Sequence, residues 1–123
     1  MENRRIVLAI DDDSIQLSVY KEILTPTYDL RVVNSASEAM HYLNNYDAEI
    51  ILLDITMPNI SGFEFLKDIR NIPSYTNVPI IIVSGNNDRE FLDQAKKSSA
   101  FAVMSKPVAP DGLQKMIEKA LSG

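Results

Sequence analysis

Polar residues able to act together stand directly behind the apolar runs of this chain. Asp11-Asp12-Asp13 follows Ile6–Ile10, Asp54 follows Ile50–Leu53, Ser84-Gly85 follows Val83, and Ser105-Lys106-Pro107 follows Met104. Carboxylates brought close together repel and raise one another's pKa unless a cation sits among them. An oxygen-only donor set points to Mg²⁺, which keeps several waters and takes one or two carboxylates together with phosphate oxygens. Asp11, Asp12 and Asp54 bring three negative charges, and one Mg²⁺ with Lys106 brings three positive ones. A neutralised site of this kind admits a phosphoryl group, for which a carboxylate is a competent covalent acceptor. Phosphoryl transfer asks chiefly for positioning and charge neutralisation, within the means of a metal, the Lys106 ammonium and the Ser84 hydroxyl.

These residues must be gathered by the elements before them. Ile6–Ile10, Leu30–Val33, Ile50–Leu53, Pro79–Val83 and Phe101–Met104 read as five short strands. Ile50–Leu53 is apolar without a break, the pattern of a strand covered on both faces. Between the strands lie helical patterns. Ile15, Val19, Tyr20, Ile23 and Leu24 form one face from Ser14 to a stop at Pro26. Ser35 and Glu38 have capping-box spacing before a helix running through Leu43. Gly62–Arg70 buries Phe63, Leu66 and Ile69, Asp88–Lys97 forms a fourth helix, and Leu113, Met116, Ile117, Ala120 and Leu121 stripe a fifth. Five β-α units predict an α/β fold with a parallel sheet, helices on both faces and right-handed crossovers. Ligands of such sheets bind outside the carboxyl ends of the strands, where the polar residues fall.

Composition narrows the function further. The 123 residues fit one domain, read as residues 1–123, either free-standing or the front of a longer protein. The absence of cysteine removes disulfide frameworks and thiolate metal sites and fits a reducing compartment. No apolar run approaches the ~18 residues of a membrane span, and the N-terminus has no signal-peptide pattern, so the expected location is cytoplasmic. A net charge of −5 argues against a nucleic-acid surface. Six of the 12 basic residues lie from Arg89 onward, and a solvated helix surface explains them more simply than an acidic partner.

The runs 6–14 (IVLAIDDDS), 51–64 (ILLDITMPNISGFE), 79–85 (PIIIVSG) and 105–107 (SKP) resemble the receiver domain of two-component response regulators along essentially the whole chain. The resemblance implies a flavodoxin-like (βα)5 fold with strand order 2-1-3-4-5. It implies that Asp54 accepts a phosphoryl group from a sensor histidine kinase or histidine phosphotransfer protein. Asp11 and Asp12 then hold Mg²⁺, Asp12 directly and Asp11 through water, with Asp54 and the backbone carbonyl of Thr56 completing the set. Ser84 hydrogen-bonds the phosphoryl group, Lys106 ion-pairs with it, Gly85 leaves room beside it, and the Lys106-Pro107 bond is cis. The expected output surface is the face of the fourth helix, fifth strand and fifth helix, read by an unknown downstream protein or output domain.

Some positions depart from that pattern. Val103 occupies the switch position, where the family carries an aromatic ring or His, and Phe101, two places earlier, is not expected to replace it. Ser99-Ala100 stands where Gly-Ala is usual, and Thr56 and Asn86 fill the positions that tune phosphoryl lifetime. Asp13 reads as a helix cap, and the lone histidine, His41, as an exposed helix residue. A haloacid-dehalogenase-type phosphatase is the enzymatic alternative, but it needs an Asp two residues past the nucleophile, where Thr56 stands. The expectation is therefore a signalling phosphoacceptor rather than an enzyme. A pseudo-receiver, binding partners independently of phosphorylation, is the other alternative.

Overall fold

Five strands pair in parallel in the order β2-β1-β3-β4-β5 in the computed structural model, which describes residues 4–57 and 61–123. The elements are β1 (Ile6–Ile10), α1 (Ser14–Leu24), β2 (Asp29–Val33), α2 (Ala36–Asn45), β3 (Ile50–Asp54), α3 (Gly62–Arg70), β4 (Ile80–Ser84), α4 (Arg89–Lys97), β5 (Ala102–Ser105) and α5 (Pro110–Ser122). A 3-10 turn over Pro73–Tyr75 joins α3 to β4. The sequence motif at 51–64 includes Pro58-Asn59-Ile60, which lie outside the described residues, as do Met1–Asn3.

Alternation along the strands divides the core into two layers. Leu8, Ile10, Ile51, Leu53, Ile80 and Ile82 face α2, α3 and α4, meeting Leu43, Phe65, Leu66, Ile69 and Phe91. Val7, Ala9, Ile50, Leu52, Ile81 and Val83 face α1 and α5, meeting Leu17, Tyr20, Leu24, Leu113 and Ile117. Every residue of β3 and β4 is buried. At roughly 1.5–3 kcal/mol per buried aliphatic side chain, these two strands are the strongest apolar contributors to the sheet.

Four helices begin on side-chain caps. Asp13, Ser35, Ser61 and Asp88 accept from the backbone N–H of Ile15, Glu38, Glu64 and Phe91 respectively, each cap contributing about 1 kcal/mol. Glu38 does not close the reciprocal half of the expected box. Its Oε1 accepts from Asn34 N at 3.1 Å, one residue before the cap.

Other expectations need correction. Ile15 is 73% exposed, and α1 instead buries Gln16, Leu17, Tyr20 and Leu24. The helix is turned by one residue, so a polar Gln16 enters the core face and Ile15 stands outside it. Phe101 precedes β5 and is 43% exposed. Its N–H bonds Ile80 O, at the start of β4 and the far end of the sheet from Ser84. It cannot stand in for a ring at Val103, which is half-buried against the α2–α4 layer. The Lys106-Pro107 peptide bond is cis, as expected.

At that far end, Arg70 ties three segments together. Its guanidinium donates to Tyr75 O (2.9 Å), Val78 O (2.5 Å), Ser99 O (2.9 Å) and Ser99 Oγ (2.9 Å).

Candidate functional site

Strand register brings the polar residues to one edge. Ile10 pairs with Leu53, Asp54 with Val83, and Ser84 with Ser105. The strands therefore end at nearly one level, and Asp54, Ser84 and Ser105 are their last residues rather than the first of the loops. Lys106 N donates to Ser84 O at 2.9 Å, carrying the sheet ladder one step past β5 and placing its side chain at this edge.

A repeated turn fixes the acceptors. Asp11 Oδ1 takes the N–H of Asp13 at 2.9 Å, Asp54 Oδ1 that of Thr56 at 3.0 Å, Ser84 Oγ that of Asn86 at 3.0 Å, and Asn86 Oδ1 that of Asp88 at 3.0 Å. Each is the side-chain-to-i+2 turn that Asp, Asn and Ser favour. Thr56 adds its hydroxyl to Asp54 Oδ1 at 2.9 Å. The inner oxygen of each buried carboxylate is thereby held by its own loop, and the outer one faces the site. There, Lys106 Nζ lies 3.0 Å from Asp11 Oδ2 and 3.5 Å from Asp54 Oδ2.

Asp11, Asp54 and Ser84 are buried, whereas Asp12 is exposed. Burial pushes the Asp11 carboxyl above its ordinary pKa, and the Asp54 charge adds to the rise. The Asp13 N–H and Lys106 pull the other way without cancelling it. Burial works against the Lys106 charge, but the two carboxylates outweigh it and hold the ammonium above its usual pKa.

Carboxylate oxygens of Asp11, Asp12 and Asp54 all lie within 4.8 Å of one another. Asp11 Oδ2 is a buried atom whose one polar neighbour among the described residues is the Lys106 ammonium at 3.0 Å. An all-oxygen set with a spare buried lone pair suits a hard divalent cation. The arrangement can hold such a cation, keep an ammonium beside it, and leave one carboxylate oxygen of Asp54 facing outward. At Gly85, a methyl group would meet nothing within 4 Å, so open space adjoins Ser84.

Asp11, Asp12, Asp54, Ser84 and Lys106, read from the sequence as site residues, are thus brought to one edge. Thr56 reaches it by its N–H and hydroxyl, contacts the sequence reading missed. The signal was present in the Asp-x-Thr spacing, which is that of a side-chain turn. Asp13 caps α1, and His41 is exposed on α2, where its ring and carbonyl contact Asn45.

A parallel sheet of order 2-1-3-4-5 with an acidic pocket at its carboxyl edge defines the receiver class of signalling domain. Residues 7–118 match the family model described as the response regulator receiver domain, and the chain belongs to that family. The 3',5'-cyclic-nucleotide phosphodiesterase regA of Dictyostelium discoideum is 30% identical over 121 residues, covering 94% of this chain but 15% of that protein. The two-component response regulator ORR5 of Oryza sativa is 26% identical over 117 residues, covering 94% of this chain and 87% of the relative. Among solved structures, the chemotaxis protein CheY4 of Vibrio cholerae is 28% identical with a TM-score of 0.87, covering 97% of this chain and all of that one. The chain therefore spans a small part of some relatives and most of others. No helix among the described residues is long and apolar enough to cross a membrane.

Proposed function

We propose that this chain is a single receiver domain in which Asp54 accepts a phosphoryl group in an Mg²⁺-dependent reaction. The observation that carries the reading is the convergence of Asp11, Asp12 and Asp54 on one point, with Lys106 between the outer oxygens of Asp11 and Asp54. Asp11, Asp12 and Asp54, with the Thr56 carbonyl, are the residues that would hold the cation. When bound, the metal supplies positive charge that offsets the phosphoryl oxygens.

The chain's own residues do the rest. Thr56 holds Asp54 Oδ1 in place, so the carboxylate is oriented before a donor arrives. A carboxylate oxygen of Asp54 forms the new O–P bond as the P–N bond of a phosphohistidine donor breaks. The leaving imidazole keeps the electron pair and takes up a proton. Lys106 follows the charge outward and ion-pairs with the transferred group. The Ser84 hydroxyl donates to a phosphoryl oxygen, and the space beside Gly85 admits it. Hydrolysis of the acyl phosphate resets the site, so the chain's chemistry is acceptance and release of one group rather than turnover of a separate substrate.

The donor is a sensor histidine kinase or a histidine phosphotransfer protein, and the setting is cytoplasmic. The output is a partner protein or domain reading the α4–β5–α5 face. Val103 lies in that face without a ring to turn, which favours a second reading, a binding module whose output ignores phosphorylation. Transfer of radiolabel from a phosphohistidine donor tests the first reading: label on the wild type and none on Asp54→Asn supports it. A wild type that stays unlabelled with every donor leaves the second.

A further inference from the structure

Between α3 and α4 runs a groove of about 610 Å³, from Ser61 at the start of α3 to Ser98 and Ser99 beyond α4. The half-buried Phe63 forms its apolar wall, with the buried Leu66 behind it, and Phe63 rests on Phe91 of α4 with ring centroids 5.8 Å apart. Lys67, Arg70 and Lys97 also line it, against a single carboxylate, Glu64. In a chain of net charge −5, the groove is a local inversion of sign.

The helix dipole accounts for basic residues near both helix ends, but not for their lack of counter-charges. Glu64 stands three residues before Lys67, and Asp93 four before Lys97, spacings that favour ion pairs on a helix. Neither pair forms, and among the described residues Lys67, Lys97 and Arg70 have no carboxylate partner. Arg70 is held rigid by its bonds to Tyr75, Val78 and Ser99, all to neutral oxygens, so its charge is fixed in the groove wall without compensation.

We propose that this groove is a docking surface for an acidic segment of a partner protein carrying an aromatic or leucine anchor. The anchor packs against Phe63 while its flanking carboxylates meet Lys67, Arg70 and Lys97. Charge complementarity selects this occupant, because the groove lining carries three cations against one carboxylate on a chain whose net charge is −5. The open shape suits a length of chain laid along the two helices.

The test is run on the full, unphosphorylated chain, so it does not depend on Asp54 chemistry. Two synthetic peptides are titrated into ¹⁵N-labelled protein, one with Phe and Leu flanked by Glu and Asp, the other with the same pair flanked by Lys. The acidic peptide is expected to shift the amide signals of Leu66, Lys67, Lys97 and Ser98, with an effect that weakens as salt is added. The K67Q/K97Q double variant, which removes both exposed charges without placing carboxylates at the helix C-termini, should stay within a few degrees of the wild-type Tm and lose about tenfold in affinity. Equal binding of the two peptides, shifts mapping elsewhere, or no shifts at all would overturn the proposal. So would self-association that the same variant abolishes, since the occupant would then be a second copy of the chain.

Discussion

Asp11 and Asp54, at the carboxyl ends of the neighbouring strands β1 and β3, share one ammonium: Lys106 Nζ sits 3.0 Å from Asp11 Oδ2 and 3.5 Å from Asp54 Oδ2. Both carboxylates give their other oxygen to their own loop. The lysine therefore sets the spacing of two negative charges that would otherwise separate, and the exposed Asp12 adds a third within 4.8 Å. One ammonium leaves this cluster short of positive charge, and stability should respond to whatever supplies the rest.

Mg²⁺ should stabilise the fold by mass action. At about a hundredfold excess over its Kd, a ligand that binds only the native state adds about 3 kcal/mol, several degrees in Tm for a domain of this size. Thermal unfolding with and without Mg²⁺ checks this. Chelator should reverse the gain, and Asp12→Asn should remove most of it while leaving the metal-free Tm nearly unchanged.

Asp11→Asn should raise the stability of the metal-free protein at neutral pH. Burial lifts the Asp11 pKa above the 3.8 of an ordinary aspartate, so its ionised form is a cost to the native state. That cost is absent below 3.8 and grows as pH rises through the folded pKa. Lys106 keeps Asp54 as a partner in the variant. Urea midpoints should favour Asn by on the order of 1 kcal/mol at pH 7, and the difference should fade toward pH 4. A variant less stable than wild type at pH 7 would show that the Lys106 pair outweighs desolvation.

Two glycines should behave oppositely. A Cβ at Gly62 would collide with Ile55 O and Cγ1 and lie 2.7 Å from Ile55 Cα, so α3 can approach the residue after Asp54 only as glycine. Gly62→Ala should cost about 2–3 kcal/mol and slow phosphoryl acceptance. Gly85→Ala meets nothing within 4 Å and should change stability by less than about 0.5 kcal/mol. Its methyl group would still occupy the space beside Ser84, so acceptance should fall without a loss of Tm.

Alkaline unfolding should begin with the buried tyrosines. Tyr75 donates to Tyr46 O, and burial pushes its pKa to about 12 from 10.0. Tyr20 moves in the same direction for the same reason, with the Asp11 charge adding to it. The unfolded chain ionises first, so the stability Tyr75 confers is complete below pH 10 and lost as pH rises to about 12, and the contribution of Tyr20 declines from pH 10 in the same direction. In urea titrations, Tyr75→Phe should cost about 1 kcal/mol at neutral pH for the lost hydrogen bond, yet fall less steeply above pH 10.

The sheet was legible because its strands are short, apolar and followed by the residues that act. β1 and α3 were read to their end residues, β3 missed only the Asp54 that closes it, and β4 was set one residue early at both ends, taking in Pro79 and leaving out Ser84. Periodicity could not set the rotation of α1. It ranks Ile15 above Gln16 by hydropathy, whereas the helix buries Gln16 beneath the acidic edge and turns Ile15 outward. The far edge was not legible either. Arg70 reaches Ser99 across 29 residues, a contact that no local pattern announces. The site residues could be named from strand ends, but the choice of which oxygen faces the site came only from the turns at Asp13 and Thr56.

The most direct test of the central claim is intact-mass spectrometry after incubation with acetyl phosphate and Mg²⁺. The wild type should gain the mass of one phosphoryl group, and Asp54→Asn, or wild type with chelator, should gain none. An unchanged wild-type mass, or an equal gain on Asp54→Asn, would contradict the assignment of Asp54 as the acceptor.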